Sequence, residues 1–134
     1  MKLFMDACSI IYLIESNQQQ GQNTRLLITQ ALQNKTQLIV SRLSFLECRI
    51  FPLKEKNSGL LETYDCFFQL PCVQIMELTE DVIDIAADLR ANYSQILRTP
   101  DALQLACALS TKADQFLTGD ETLSVIQGID VIVV

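Results

Sequence analysis

The stretch KLFMDACSIIYLIE, Lys2 to Glu15, sets the reading of the whole chain. Its first four residues, KLFM, have the length and apolar character of a short strand, and the run ends abruptly in Asp6. Small residues follow, and then IIYLI opens a helical pattern. The pattern is a strand running straight into a helix with an acid at the junction. A carboxylate set in so much hydrocarbon is costly unless something partners it.

Four other segments share the strand character: QLIV (37–40), CVQIM (72–76), QFL (115–117) and DVIVV (130–134). They alternate little between apolar and polar residues, which suits strands buried on both faces of a parallel sheet. Helical patterns lie between them. SIIYLIES (9–16) leads into NQQQGQN (17–23), which is too polar to pack and reads as a loop or frayed turn. TRLLITQAL (24–32) comes next, and residues 42–68 are expected to form two helices separated by Pro52 and NSG (57–59). TEDVIDIAADLRANYS (79–94) opens on Thr79 as N-cap with two acids in its first turn. Val82, Ile85, Ala86 and Leu89 then share one face. In TPDALQLACAL (99–109), Thr99 is the expected N-cap and Pro100 the first helical residue. Strands alternating with helices of this size give an α/β fold: one domain over residues 1–134, with a central, mostly parallel sheet flanked by helices.

Composition bounds the function. With 134 residues, 49% of them apolar, the chain folds as one domain with an ordinary core. No apolar run reaches the roughly 20 residues of a membrane helix. Asp6 interrupts the N-terminal apolar run, and no small-residue cleavage site follows, so the chain reads as cytoplasmic and not membrane-bound. Cys8, Cys48, Cys66, Cys72 and Cys107 form an odd set without a CxxC pair and read as reduced core thiols. There is no histidine, which removes Ser-His-Asp and Cys-His catalysis and leaves carboxylates as the available catalytic groups. The net charge of −6 argues against a broad electrostatic grip on nucleic acid.

In open α/β sheets, sites form beyond the carboxyl ends of the strands. Asp6 ends the first strand there. Ser41 ends the second, with Glu47 two turns into the next helix. Thr118 and Asp120, from TGD, end the fourth, and Asp101 lies in the first turn of TPDALQLACAL. Each aspartate has a plain structural role open to it: Asp6 as a helix cap, Asp101 as a charge at a helix N-terminus, Asp120 as a turn residue. Glu47 is harder to place, because a helical wheel sets it among Leu43, Leu46, Ile50 and Phe51, on what reads as the buried face. If the four acids converge, each pair about 5 Å apart repels by about 3 kcal/mol at an effective dielectric near 20. Only Arg42 and Arg98 lie near the right strand ends to offset this. A divalent cation resolves the repulsion, and oxygen-only ligands favour Mg²⁺ or Mn²⁺.

LFMDACSIIYLIE (3–15), VSRLSFLE (40–47), TPDALQLACAL (99–109) and FLTGDETL (116–123) occur in the order and spacing of PIN-domain ribonucleases. Over essentially its whole length the chain resembles the VapC-type toxins of bacterial toxin–antitoxin pairs. The resemblance implies a 3-2-1-4-5 parallel sheet and Mg²⁺- or Mn²⁺-dependent cleavage of RNA. It assigns Asp6, Asp101 and Asp120 to the metal, and Glu47 to the metal through water or to the attacking water. Thr118 would hold a metal-bound water or an acid, and Arg98 is a candidate phosphate contact. The implied partners are RNA, a small antitoxin protein inserting basic residues into the acidic groove, and a second copy of the chain. The first motif departs from the family pattern at Cys8, where a hydroxyl or amide is usual.

Phosphoacceptor folds fit poorly, since Asp6 has no acidic neighbour and no lysine follows Lys112. Haloacid-type phosphatases need a second aspartate where Cys8 stands, and no phosphate-cradling glycine motif is present. A non-catalytic PIN-like interaction scaffold stays open as the alternative. The apolar segment GLLETYDCFFQL (59–70) is a candidate partner surface in either case.

Overall fold

The computed structural model describes residues 1–134. Strands β1 (Lys2–Met5), β2 (Gln37–Ser41), β3 (Val73–Met76), β4 (Gln115–Thr118) and β5 (Asp130–Val133) make one sheet in the order β3-β2-β1-β4-β5. Every pairing is parallel, with Phe4 level with Ile39 of β2 and with Phe116 of β4. The helices are α1 (Ala7–Glu15), α2 (Gln19–Gln33), α3 (Arg42–Lys54), α4 (Ser58–Phe68), α5 (Glu80–Asn92) and α6 (Thr99–Ser110), with a 3₁₀ turn at Glu121–Val125. None is long and apolar enough to cross a membrane.

The continuous apolar runs have the expected cause: both faces of the sheet are covered. Successive side chains on a strand point to opposite faces. Leu3 and Met5 therefore enter a core with Leu38, Val40, Ile10, Ile28, Cys48, Tyr64 and Phe67. Phe4 and Ile39 enter another with Val82, Ala86, Leu105 and Phe116, where the Phe4 and Phe116 rings stack at 5.4 Å. The α5 face read from the sequence holds, with Val82 and Ala86 buried and Ile85 and Leu89 packed beside them.

Several local readings are corrected. From Gln19 onward the polar stretch is the first turn of α2, not a loop. It packs through backbone approach: a Cβ on Gly21 would lie 2.2 Å from the Ser16 carbonyl oxygen. Thr24 is fully buried, and the Arg25 guanidinium donates to the carbonyls of Leu13 and Ser16 at 3.2 and 2.8 Å, satisfying the end of α1. Pro52 does not end α3 but sits buried in its last turn. The break follows at Glu55–Asn57, where Lys56 adopts φ 53° and Asn57 caps α4. Arg98, not Thr99, is the N-cap residue of α6. Cys66 is exposed, so not all the thiols are core residues. Most of the large side chains of GLLETYDCFFQL are spent inside: Tyr64, Phe67 and Phe68 are buried, and the Tyr64 hydroxyl donates to Glu15.

The glycines give a paired test. Gly21→Ala is expected to destabilise the fold by about 1–3 kcal/mol through overpacking. Gly59→Ala, whose Cβ would meet nothing closer than 3.7 Å, is expected to stabilise it by about 0.4–1 kcal/mol. Chemical denaturation of the two variants checks the opposite signs.

Candidate active site

The site is assembled where β1, β2 and β4 end and helices begin. Asp6 leaves the central strand and caps α1: its Oδ1 accepts the Ser9 N–H at 2.8 Å, while the Ser9 hydroxyl donates to the Asp6 carbonyl at 2.9 Å. The Asp6 N–H donates to the Leu117 carbonyl at 3.2 Å, tying the junction to β4. Only 8% of Asp6 is exposed. Ser41 caps α3 by accepting the Ser44 N–H at 3.1 Å, and Glu47 follows in the second turn. Asp101 lies in the first turn of α6, where its Oδ2 accepts the Arg98 N–H at 3.2 Å. Thr118 is buried at the end of β4 and accepts the Asp120 N–H at 3.0 Å. Asp120 Oδ1 accepts from the N–H and hydroxyl of Thr122 at 3.0 and 2.7 Å.

The acids feel one another. Burial pushes the Asp6 carboxyl above the ordinary carboxylate range; hydrogen bonds from the Thr118 hydroxyl and from Ser9 oppose the rise, and the Asp101 charge adds to it. Burial likewise raises Glu47, opposed by a hydrogen bond from Gln104 and reinforced by the charges of Asp6 and Asp101. These three acids therefore share one electrostatic neighbourhood. Asp120 stands on the other flank of Cys8, whose thiol is raised by burial first and then by the charges of Asp6 and Asp120.

No cation answers this charge. Arg42 pairs with Glu77 at 2.6 Å and Arg49 with Asp65, and these are the chain's ion pairs. Arg98 reaches Asp101 through its backbone N–H, and its guanidinium is solvent-exposed. The donor set, carboxylates with hydroxyls and no histidine, is the chemistry of a hard divalent cation. Asp101 Oδ1, Glu47 Oε2 and Asp120 Oδ2 accept no hydrogen bond from the protein and are available as ligands. In the present arrangement no three acidic or thiol side chains reach a common coordination point. By chemistry and charge the residues fit Mg²⁺ or Mn²⁺, with Asp120 the acid most turned away, into its own turn.

Two polar groups beside the acids escape a reading by strand ends. Gln104, one turn beyond Asp101 on α6 and 4% exposed, accepts from the Ser41 hydroxyl at 2.7 Å. Its Nε2 donates to Ser44 Oγ at 2.8 Å and to Glu47 Oε1 at 3.4 Å. The signal was an amide inside the apolar run DALQLACAL, spaced three residues from an acid. Arg90 of α5 donates to Thr99 Oγ1 at 2.8 Å and brings a second exposed guanidinium to the start of α6. The wheel argument for Glu47 is corrected too. The buried stripe of α3 is Ser44, Cys48 and Pro52, while Leu46, Ile50 and Phe51 are each more than half exposed. Glu47 is half-buried, accepts a hydrogen bond from Gln104 and feels the charges of Asp6 and Asp101.

Residues 3–129 match the family model of the PIN domain. Solved structures share the fold at low identity. VapBC2 from Rickettsia felis, bound to a promoter DNA fragment, superposes with a TM-score of 0.81 at 15% identity over 100% of this chain and 99% of that one. VapC20 of Mycobacterium tuberculosis, a toxin that cleaves the sarcin–ricin loop, gives 0.77 at 12% identity over 96% and 98%. FitAcB from Neisseria gonorrhoeae gives 0.76 at 15% identity over 97% and 96%. No protein of curated function matches the sequence.

The buried acid has a measurable consequence. Asn keeps the cap on α1 and removes the buried charge. The Asp6 pKa is raised on folding, so its penalty is full above the folded-state value and vanishes below the ordinary value of 3.8. In EDTA at pH 7.5, Asp6→Asn is expected to raise the stability of the fold, because it removes a carboxylate whose charge burial disfavours. The gain should shrink as the pH falls toward 4. Calorimetry across that range checks both sign and trend, and a variant less stable than the parent at pH 7.5 contradicts the assignment.

Proposed function

This chain belongs to the PIN-domain family, and from that premise we propose that it is a divalent-metal-dependent endoribonuclease, the toxin of a type II toxin–antitoxin pair. The observation that carries the reading is the group Asp6, Glu47 and Asp101: three acids raising or sensing one another's charge at the carboxyl edge of the sheet, with no Lys or Arg paired to them. Asp6, Asp101 and Asp120 would hold Mg²⁺ or Mn²⁺, with Glu47 joining them directly or through water. When bound, the ion supplies Lewis-acid polarisation of a phosphoryl oxygen and activation of water.

The rest is the work of side chains. Glu47, half-buried and with one oxygen free, is placed to orient the attacking water and to accept its proton. Thr118 lies on the β4 side of the Asp6 carboxylate and lowers the cost of its charge, and its hydroxyl oxygen accepts the Asp120 N–H. Arg98, with Arg90 behind it, offers the positive charge that meets the substrate phosphate.

An antitoxin is the partner this reading implies, and similar folds have been solved as a toxin–antitoxin complex from Klebsiella pneumoniae and as DNA-bound VapBC from Salmonella typhimurium. The surface it would use is α3 rather than the segment 59–70. Leu43, Leu46, Ile50 and Leu53 line a groove of about 480 Å³ with Leu78, flanked by Arg42 and Arg49. A homodimer is the other occupant of such a face. The competing reading, a non-catalytic scaffold in the cytoplasm, is favoured by one observation, the absence of a ready three-acid coordination point.

Purified protein incubated with total RNA in Mg²⁺ or Mn²⁺ is expected to create discrete new 5′ ends. These should disappear in EDTA and fall by roughly 100-fold or more in Asp101→Asn, since loss of a ligand exceeds the 10–100-fold typical of its supporting residues. Ends that persist in both controls sink the metal mechanism, and metal uptake without cleavage of any RNA favours the scaffold. A second expectation concerns salt. Of ten cationic side chains, only Arg90 and Arg98 stand exposed at the start of α6. The affinity of Asp101→Asn for single-stranded RNA should therefore fall with salt with a log–log slope of only about −1 to −2, as anisotropy titrations would read.

A further inference from the structure

Gln104 lies between the two helices that carry the acids, and every polar atom of its amide is used. The Ser41 hydroxyl donates to its Oε1 at 2.7 Å, and its Nε2 donates to Ser44 Oγ at 2.8 Å and Glu47 Oε1 at 3.4 Å. Asp101 and Gln104 are three residues apart on α6, and Ser44 and Glu47 three apart on α3, so each pair stands one turn above the other on a shared face. The amide therefore bridges the helix start that holds Asp101 to the turn of α3 that holds Glu47. Its orientation is dictated by chemistry. An ionised carboxylate only accepts hydrogen bonds, so the NH₂ end must face Glu47 and the carbonyl end must face the donating Ser41.

We propose that Gln104 is a positioning residue for Glu47: its amide keeps the glutamate within reach of the charges of Asp6 and Asp101, on the side from which it can close on a divalent cation. The proposal rests on the metal-dependent reading above. Its physical basis is that Glu47 has no other hydrogen-bond donor in the protein and is repelled by both neighbouring aspartates. Without the amide, the side chain relaxes away from Asp6 and Asp101. The serines serve the same end at one remove. Ser41 is both the cap of α3 and the donor that anchors the amide carbonyl, so the start of the helix and the setting of Glu47 are fixed by one group. Metal-site side chains held in this way lose about 10–100-fold in affinity when the supporting bond is removed.

The test is a double-mutant cycle on Mn²⁺ binding without RNA, read by the electron paramagnetic resonance signal of free Mn²⁺, on wild type, Gln104→Leu, Glu47→Gln and the double variant. Gln104→Leu is expected to weaken Mn²⁺ binding about 10-fold in the wild-type background and to change it less than 2-fold when Glu47 is already Gln. An equal loss in both backgrounds means Gln104 acts only by holding the fold, and overturns the proposal. Because leucine leaves Ser41 and Ser44 buried without their partner, Gln104→Glu is run in parallel. It keeps the length and the acceptor for Ser41 but removes the donor to Glu47, and thermal melts of all variants in EDTA separate misfolding from weakened binding. If Gln104→Glu in the wild-type Glu47 background binds Mn²⁺ like the parent, the proposal also fails. Wild type that takes up no Mn²⁺ at millimolar concentration overturns instead the metal-dependent reading itself.

Discussion

Everything at the carboxyl edge of this domain follows from one constraint: a carboxylate is buried at the end of the central strand without a cation beside it. The order β3-β2-β1-β4-β5 puts β1 in the middle, so whatever follows Met5 is walled by the ends of β2 and β4. Asp6 is 8% exposed there and cannot be hydrated freely. Its charge is held by the Ser9 N–H, by the Thr118 hydroxyl and by the start of α1, contributions typically of ~1 kcal/mol each. Burial still outweighs them, as the raised carboxyl shows. The close fit extends to Gly119, where a Cβ would fall 2.6 Å from the Tyr12 ring and 2.8 Å from Cys8 Sγ. The glycine of TGD is needed because α1 lies against the end of β4.

Capping and the proposed ligation draw on the same carboxylates. Asp6 caps α1, Asp101 accepts the Arg98 N–H at the start of α6, and Asp120 caps the 3₁₀ turn. A cap occupies one carboxylate oxygen and fixes the side chain's rotamer, and Asp101 and Asp120 each keep a second oxygen unused by the protein. Helix N-termini also favour the ionised form that a cation needs, by about 0.3–1 kcal/mol each. The plain roles that each aspartate offered in sequence are thus all realised, and in Asp120 the role in the turn draws the side chain away from the other acids. Local folding thus fixes these acids at one edge of the sheet through the caps they make.

How much of this could be read beforehand depended on the range of the interaction. The strands were legible because a parallel sheet covered on both faces demands unbroken apolar runs, and KLFM and QFL supply them. The acids at strand ends followed from topology. What failed was decided by contacts between segments. NQQQGQN looks like a loop until Gly21 meets the Ser16 carbonyl and Arg25 closes the end of α1, and no local pattern encodes either. Glu47 was singled out on a helical wheel whose apolar side proves to face solvent. A wheel reports that a stripe exists, not whether the core or a partner covers it. Gln104 is not legible in the sequence, because a glutamine in an apolar helix gains its meaning only from the two serines of the α3 start that converge on it.

Cys8 shows how such a site absorbs a departure from its usual chemistry. Its thiol lies beside Tyr12 and Gly119 and feels the charges of both Asp6 and Asp120. A thiol is a weak donor, and burial together with the two acidic charges keeps it protonated, so it adds no further negative charge. Ser9 does not replace the missing donor, because its hydroxyl is turned to the Asp6 carbonyl inside the first turn of α1. The hydroxyl next to the Asp6 carboxylate is instead that of Thr118, reaching across from β4 and itself pinned by the Asp120 N–H. The first acid is therefore held from both sides, by the Ser9 N–H of α1 and by Thr118 at the end of β4. Thr118 links the two acids from the strand, lying beside the Asp6 carboxylate and accepting the Asp120 N–H, while both charges also act on the Cys8 thiol.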